Sequence, residues 1–149
     1  MEKIALTIVA CVGITLSAAA ADFAMPKEAE AVVPKLIKAI GANKADAFKE
    51  VTAKDPKWVH GDLYPFVVDM QATVLAHGAN DKLVGKVLMD LEDADGKQFV
   101  KEFVQSTSAK GKSWTDYKWS DPVTKKVLPK SVYCEKSGEL VVCAGIYKR

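Results

Sequence analysis

Apolar residues recur at helical spacing in the first part of the chain. The segment 26–43 places apolar side chains three and four positions apart, which predicts a helix with an inner face made of Val33, Leu36, Ile37 and Ile40. Gly41 is expected to stop this helix, and Pro34 inside the run either delays its start or kinks it. A second helix is predicted after Asn43, a good N-cap residue, and before Pro56.

From residue 63 the pattern changes to that of β-strands. The segments "LYPFVVDM" and "TVLAHG" are rich in β-forming residues and predict a hairpin. After a stretch that is mostly loop, residues 97–109 predict a helix whose inner face is formed by Phe99, Val100, Phe103 and Val104. The segments "SWTDYKW", "PKSVYCEK" and "ELVVCAGIYK" predict three further strands. Five mostly antiparallel strands with helices grouped at one side indicate an α+β domain.

The first 21 residues have the layout of a secretory signal peptide. Lys3 precedes an apolar run over residues 4–16, and small residues follow it. A lipoprotein cleavage box ending at Cys11, or a retained N-terminal anchor, is an alternative interpretation. Residues 22–149 are then enough for one compact domain.

Charge and motifs exclude several classes of function. The formal net charge is +2, and the lysines are scattered among acids, which argues against a nucleic-acid partner. No phosphate-binding glycine loop or catalytic-triad signature is present, and two histidines are too few for a usual zinc site. The sequence therefore predicts no catalysis, no cofactor and no metal.

One acidic stretch, "LEDADGKQFVKE", resembles a calcium-binding loop. Asp93, Asp95, Gly96 and Glu102 match ligand or turn positions of an EF-hand, but Leu91 stands where the first carboxylate belongs. Because the oxygen cage is incomplete, we expect no calcium site. Asp93 or Asp95 is instead expected near the N-terminus of the following helix, where a carboxylate favours the helix dipole.

The two cysteines of the mature chain lie in neighbouring predicted strands. A two-residue turn at Ser137 and Gly138 would place Cys134 opposite Val141, whereas a four-residue turn over 137–140 would place it opposite Cys143. Either register puts both thiols on one face. In a secreted protein this predicts a disulfide, with two unpaired buried cysteines as the alternative.

Three sets of residues occur in order along the second half of the chain. They are "AHG…LVGK" at 76–86, "D-x-DG-x-x-F" at 93–99, and a third set made of Tyr117, Trp119, Lys130, Tyr133, Gly145 and Tyr147. Together they resemble the single Cache domain family, the extracytoplasmic PAS-like sensor domains of bacterial chemoreceptors and kinases. The resemblance covers about residues 26–148. The family implies a long N-terminal helix beside a five-stranded antiparallel sheet. It also implies a pocket between one sheet face and residues 78–109, with small carboxylates as the usual ligands.

Six side chains are candidate ligand contacts in such a pocket: Lys130, Tyr133, Tyr117, Trp119, His77 and Tyr64. Strand alternation puts Tyr117 and Trp119 on one face, where they either wall the pocket or fill the core. Lys130 matches the family's lysine position, but alternation sends Tyr133 to the opposite face unless the strand begins irregularly. His77 is expected on the side of Leu75, as a ligand contact or a structural histidine.

The sequence thus predicts a secreted, periplasmic sensor-type domain that binds a small organic acid without catalysis. The chain ends shortly after the last strand, which leads us to expect a free-standing protein working with a membrane receptor or transporter. The alternative is an accessory protein whose pocket is filled by its own side chains, acting through a partner or as a homodimer through its N-terminal helix.

Overall fold

A computed structural model describes residues 23–149 of the chain. The predicted signal peptide, residues 1–21, and the alternative lipid attachment at Cys11 lie outside the described residues. Within residues 23–149, none of the helices has the length and apolar character needed to cross a membrane.

Two helices open the fold: α1 (Pro26–Ala42) and α2 (Lys44–Thr52). α1 runs through Pro34, so the helix does not begin late. Its first turn is held by the Glu28 carboxylate, which accepts a hydrogen bond from the backbone N–H of Met25 at 2.6 Å. Asn43 caps α2 as predicted, because its side-chain oxygen accepts from the backbone N–H of Asp46 at 3.1 Å.

The described residues form one five-stranded sheet with the strand order β2-β1-β5-β4-β3. Every neighbouring pair of strands is antiparallel, and β1 and β2 form the predicted hairpin. Between β2 and β3 the chain leaves the sheet through a short 3-10 helix (Asp81–Leu83), a loop, and α3 (Phe99–Lys110). The strands are β1 (Pro65–Asp69), β2 (Val74–His77), β3 (Lys112–Ser120), β4 (Val127–Ser137) and β5 (Leu140–Tyr147).

Helices cover both faces of the sheet. α1 and α2 pack against Val67, Val142 and Ala144, whereas α3 packs against Val68 and Val141 on the opposite face. The expectation that the helices group at one side is therefore wrong. The reason is visible in the central strands: their apolar runs are continuous rather than alternating, as in strands that are buried on both faces.

The two cysteines are bonded across β4 and β5. Cys134 and Cys143 are direct partners in the sheet, with their Cα atoms 4.1 Å apart, and a disulfide joins them. This is the register predicted for the four-residue turn, with Cys134 opposite Cys143. The turn itself is shorter than predicted, because Ser137 and Leu140 still pair and only residues 138 and 139 lie between them. Gly138 supplies the positive φ of 59° that such a turn needs. The cross-link contributes roughly 2.5–3 kcal/mol by restricting the unfolded chain.

The acidic stretch fastens the loop before α3 to the sheet. The Asp93 carboxylate accepts hydrogen bonds from the backbone N–H groups of Asp95 at 2.9 Å, Lys97 at 2.9 Å and Lys118 at 3.0 Å. These bonds, the one from Lys118 first, lower the pKa of Asp93. Because α3 begins at Phe99, Asp93 lies too far upstream to act on the helix dipole, contrary to our expectation.

Gly145 leaves the space through which the side chain of Lys130 runs. A Cβ atom at Gly145 would lie 2.6 Å from Cε of Lys130 and 2.8 Å from the carbonyl oxygen of Ser131. We therefore expect Gly145→Ala to lower the free energy of unfolding by about 1–3 kcal/mol through overpacking, measured by denaturant titration.

Gly41→Ala is the matched control for this substitution. Nothing lies within 4 Å of a Cβ at Gly41, which is helical, so alanine should raise the free energy of unfolding by up to about 1 kcal/mol. Equal effects of the two substitutions would show that the space beside Gly145 is not needed.

Candidate functional site

A cavity lies between the sheet and the excursion that contains α3. Its apolar wall includes Phe66, Val74, Leu83, Leu88, Phe99 and Phe103. The cavity is small: about 20 Å³ is open to the centre of a water molecule. It therefore holds one or two water molecules without rearrangement, and a larger occupant requires the walls to move.

Five of the six predicted contact residues line this cavity: Lys130, Tyr117, Trp119, His77 and Tyr64. Tyr133 does not. The strand pairing is regular from Lys130 onward, so alternation sends Tyr133 to the face covered by α1. There its ring contacts Trp114, with the centroids 5.3 Å apart, and its hydroxyl donates to Glu135 at 2.9 Å. The irregular strand start that would have brought Tyr133 into the pocket is absent from β4 in the described structure.

Lys130 is a buried amine without a counter-ion. Its side chain is 1% exposed, and its Nζ donates a hydrogen bond of 2.8 Å to the Tyr64 hydroxyl. Among residues 23–149, no carboxylate lies within ion-pair distance of it. Burial lowers the pKa of Lys130 to about 7, and the more distant negative charge of Asp62 partly opposes this. The rings of Tyr64 and Tyr147, with centroids 4.2 Å and 5.1 Å from Nζ, favour the charged form.

The hydroxyls beside Lys130 form a chain with a fixed direction. Tyr147 Oη donates to the backbone carbonyl of Ser120 at 2.7 Å, and it lies 2.9 Å from Tyr64 Oη. Each hydroxyl has one proton, so Tyr64 donates to Tyr147 and accepts from Lys130. Burial raises the pKa of both tyrosines, which keeps them protonated. Neither tyrosine therefore has a hydrogen to offer a ligand, whereas Lys130 does.

His77 is held as a neutral donor. Its Nδ1 accepts hydrogen bonds from the backbone N–H groups of Ala79 at 3.1 Å and Asn80 at 2.9 Å, so the ring proton is on Nε2. Burial lowers the pKa of His77 to about 3, helped by the positive charge of Lys130. The ring also stacks on Phe66, with the centroids 5.6 Å apart. His77 thus serves the structure through Nδ1 and leaves its N–H group for another partner.

A β-bulge turns His77 toward the cavity. The register between β1 and β2 shifts between Val67 and Val68, which inserts Leu75 as an extra residue. His77 consequently faces the cavity together with Val74, while Leu75 packs on the other side of the sheet. The prediction that His77 and Leu75 share a face is wrong, because strict alternation does not hold across the bulge.

Tyr117 and Trp119 are placed by Phe99, the first residue of α3. The ring of Phe99 stacks on Tyr117 with the centroids 4.1 Å apart and lies 5.3 Å from that of Trp119. The Tyr117 hydroxyl, like His77 Nε2, has no hydrogen-bond partner in residues 23–149. Fully buried side-chain polar atoms of this part of the chain all have partners, so these two atoms retain some accessible surface. Three residues that carry hydrogen-bond donors, Tyr117, His77 and Lys130, thus line the cavity.

Sequence reasoning missed two groups at this site. Tyr147, which orders the hydroxyl chain, was noted only as part of a motif. Phe66 and Val74 complete the wall, and for Phe66 the signal was available, since alternation along β1 puts it on the face of Tyr64. In the described part of the chain, His, Cys, Asp and Glu form no group of three or more that could hold a metal ion.

Comparison with known proteins identifies the family. The sequence model of the family "Single Cache domain 2" matches residues 15–147. A crystal structure of a methyl-accepting chemotaxis protein from Vibrio parahaemolyticus RIMD 2210633 is 26% identical, covers 81% of this chain and 86% of its own, and superposes with a TM-score of 0.69. None of the curated proteins matches the chain.

Two further solved structures share the fold at lower identity. One, from a study of the structural basis for carboxylic acid recognition by a Cache chemosensory domain, is 20% identical, with coverages of 83% and 92% and a TM-score of 0.70. The other, a periplasmic sensor domain of a chemotaxis protein, is 23% identical, with coverages of 83% and 90% and a TM-score of 0.66. The family model matches nearly the whole chain, and these sensor domains share its α+β architecture. The chain therefore belongs to the Single Cache domain 2 family.

Proposed function

We propose that this protein senses a small organic acid by binding its carboxylate in the cavity, without catalysis. The observation that carries the proposal is that three residues with hydrogen-bond donors, Lys130, Tyr117 and His77, line one cavity whose lining contains no carboxylate. A buried anion is heavily penalised unless hydrogen bonds and an opposite charge compensate it. Lys130 supplies the charge, and the other two supply neutral donors.

The size of the cavity favours the smallest members of this class. The walls beyond the donors are apolar, so they suit a short alkyl chain rather than a second carboxylate. We therefore place short monocarboxylates ahead of dicarboxylates. The similarity to a Cache chemosensory domain from a study of carboxylic acid recognition supports a carboxylic acid as the class of ligand.

The proposed partners follow from the same family. We propose a periplasmic location, on the strength of the signal-peptide pattern and of the likeness to a periplasmic sensor domain. A membrane receptor or transporter is the proposed partner that receives the signal.

The narrow cavity also favours a second candidate function. If the side chains fill the pocket themselves, the protein acts through its surface, on a partner or as a homodimer through α1. The two functions differ in one measurable property, which is the binding of a small carboxylate.

Removal of the Lys130 charge should abolish ligand binding. We expect a short monocarboxylate such as acetate or propionate to raise the melting temperature of the wild-type protein by a few degrees, because a ligand at a hundred times its Kd adds about 2.7 kcal/mol. Lys130→Met should lose this shift in differential scanning fluorimetry. Tyr133→Phe, on the same strand but the other face, should keep it.

A milder substitution guards against misfolding of the Lys130 variant. Tyr117→Phe removes one hydroxyl and keeps the ring that stacks on Phe99, so we expect roughly a tenfold loss of affinity with little change in unliganded stability. A full panel of carboxylates without any shift in the wild type would reject the sensor function in favour of the second candidate. A shift that survives Lys130→Met would move the charge to another residue.

Affinity should depend on pH through Lys130. The amine must be protonated to attract a carboxylate, and the pKa of Lys130 in the free protein is about 7. Affinity should therefore be highest below about pH 7 and fall by up to tenfold per pH unit above it. His77, with its pKa lowered to about 3, stays neutral throughout and adds no pH dependence. Calorimetric titration between about pH 6 and about pH 9 measures this, and a constant affinity would contradict it.

Export should remove the N-terminal segment. The signal-peptide pattern predicts that the protein purified from the periplasm begins at Ala21 or Asp22. Intact-mass measurement decides this. A mass that retains residues 1–20, or that carries lipid on Cys11, would show that the segment is an anchor.

A further inference from the structure

We propose that Lys130 captures the carbonyl group of a small 2-oxo acid, such as glyoxylate or pyruvate, as a reversible imine. This inference rests on the proposed carboxylate site and narrows its ligand class. It concerns bond formation between ligand and protein, which goes beyond hydrogen bonding to an anion.

The surroundings of Nζ are those of a nucleophile rather than of a structural ion pair. Lys130 is 1% exposed, has no carboxylate within ion-pair distance in residues 23–149, and makes one hydrogen bond, to Tyr64. Because the Tyr64 proton is committed to Tyr147, that bond uses one hydrogen of Nζ and, in the neutral amine, leaves the second hydrogen and the lone pair uncommitted. A lysine in a hydrophobic pocket is activated in this way for attack on a carbonyl.

The other donors leave the amine available for the carbonyl. Tyr117 Oη–H and His77 Nε2–H are neutral and lack partners in the described residues, and both residues line the same cavity as Lys130. They can hold the carboxylate of a 2-oxo acid while Lys130 meets the adjacent carbonyl carbon. A plain carboxylate has no such carbon, so for it Lys130 can act only as a cation.

Imine formation requires no reactant other than the amine and the 2-oxo acid. The Nζ lone pair attacks the carbonyl carbon, and the C=O π electrons move to oxygen to give a carbinolamine. The carbon–oxygen bond then breaks, the two amine hydrogens leave with the oxygen as water, and a C=N bond remains. Hydrolysis reverses the reaction, so the ligand can leave again.

The protonation of the amine supports this chemistry. With its pKa lowered by burial to about 7, Lys130 is about half neutral near neutral pH. An ordinary exposed lysine, with a pKa of about 10.4, has a neutral fraction roughly a thousandfold smaller at the same pH. Imine formation should therefore select Lys130 over the exposed lysines of the chain.

The test traps the imine by reduction. The full protein is incubated with glyoxylate or pyruvate and sodium cyanoborohydride, which reduces the imine and spares the disulfide. Intact mass should show one adduct per chain, equal in mass to the 2-oxo acid less the oxygen atom of its carbonyl group, because imine formation loses water and reduction adds two hydrogens. Peptide mapping should place it on Lys130, at a rate at least tenfold above that of any exposed lysine.

Two variants and one analogue serve as controls. Lys130→Arg keeps the cation but cannot form an imine, so the adduct should disappear. Lys101→Arg replaces an exposed lysine on α3 and should leave trapping unchanged. Propionate, which lacks the carbonyl, should raise the melting temperature without forming an adduct.

Three outcomes separate this inference from the proposed function. Selective trapping on Lys130 supports both. Thermal shifts with 2-oxo acids and propionate, but no adduct on Lys130 above the level of exposed lysines, overturn the imine and retain the carboxylate site. Neither shift nor adduct overturns both.

Discussion

The hydrogen bond from Lys130 to Tyr64 is the interaction on which the site depends. A buried amine without a counter-ion is costly, and this bond with the surrounding aromatic rings is its main compensation. The bond also directs the protons of Tyr64 and Tyr147 toward Ser120, which fixes which groups can donate to a ligand. Gly145 provides the space that the lysine stem needs. The site is therefore built around one buried amine.

A second buried polar cluster influences the pKa of Lys130. Arg149 forms ion pairs with two fully buried carboxylates, Asp62 at 3.1 Å and Asp121 at 3.0 Å. Asp62 also accepts a hydrogen bond from the backbone N–H of Ala24 at 2.9 Å, so the cluster joins both ends of the described chain. Its two carboxylates share one guanidinium, and Asp62 raises the pKa of Lys130 without touching it. The lysine can thus still be protonated, although no residue between 23 and 149 forms an ion pair with it.

Most elements of the fold were predictable, and the errors have physical causes. The helical spacing before residue 43, the Asn43 cap, the hairpin and the three later strands all appear as expected. The distribution of helices over both faces was missed, although the apolar runs of β1 and β5 carried that information. The start of α3 was misplaced by two residues, since Asp93 binds loop and strand N–H groups instead of a helix end.

The sequence by itself determined most strand faces, including the one that Tyr117 and Trp119 share, and the placing of both cysteines on one face of neighbouring strands, because these follow from local periodicity. The grouping of Lys130 with the two aromatic residues came from the family resemblance. Tertiary structure alone decided the rest. The bulge that turns His77 into the cavity depends on the pairing of β1 with β2, which alternation along one strand does not reveal. The direction of the hydroxyl chain, and the absence of a partner carboxylate for Lys130 in residues 23–149, depend on side chains brought together from distant segments. Such contacts are set by packing across the whole domain, and no local pattern encodes them.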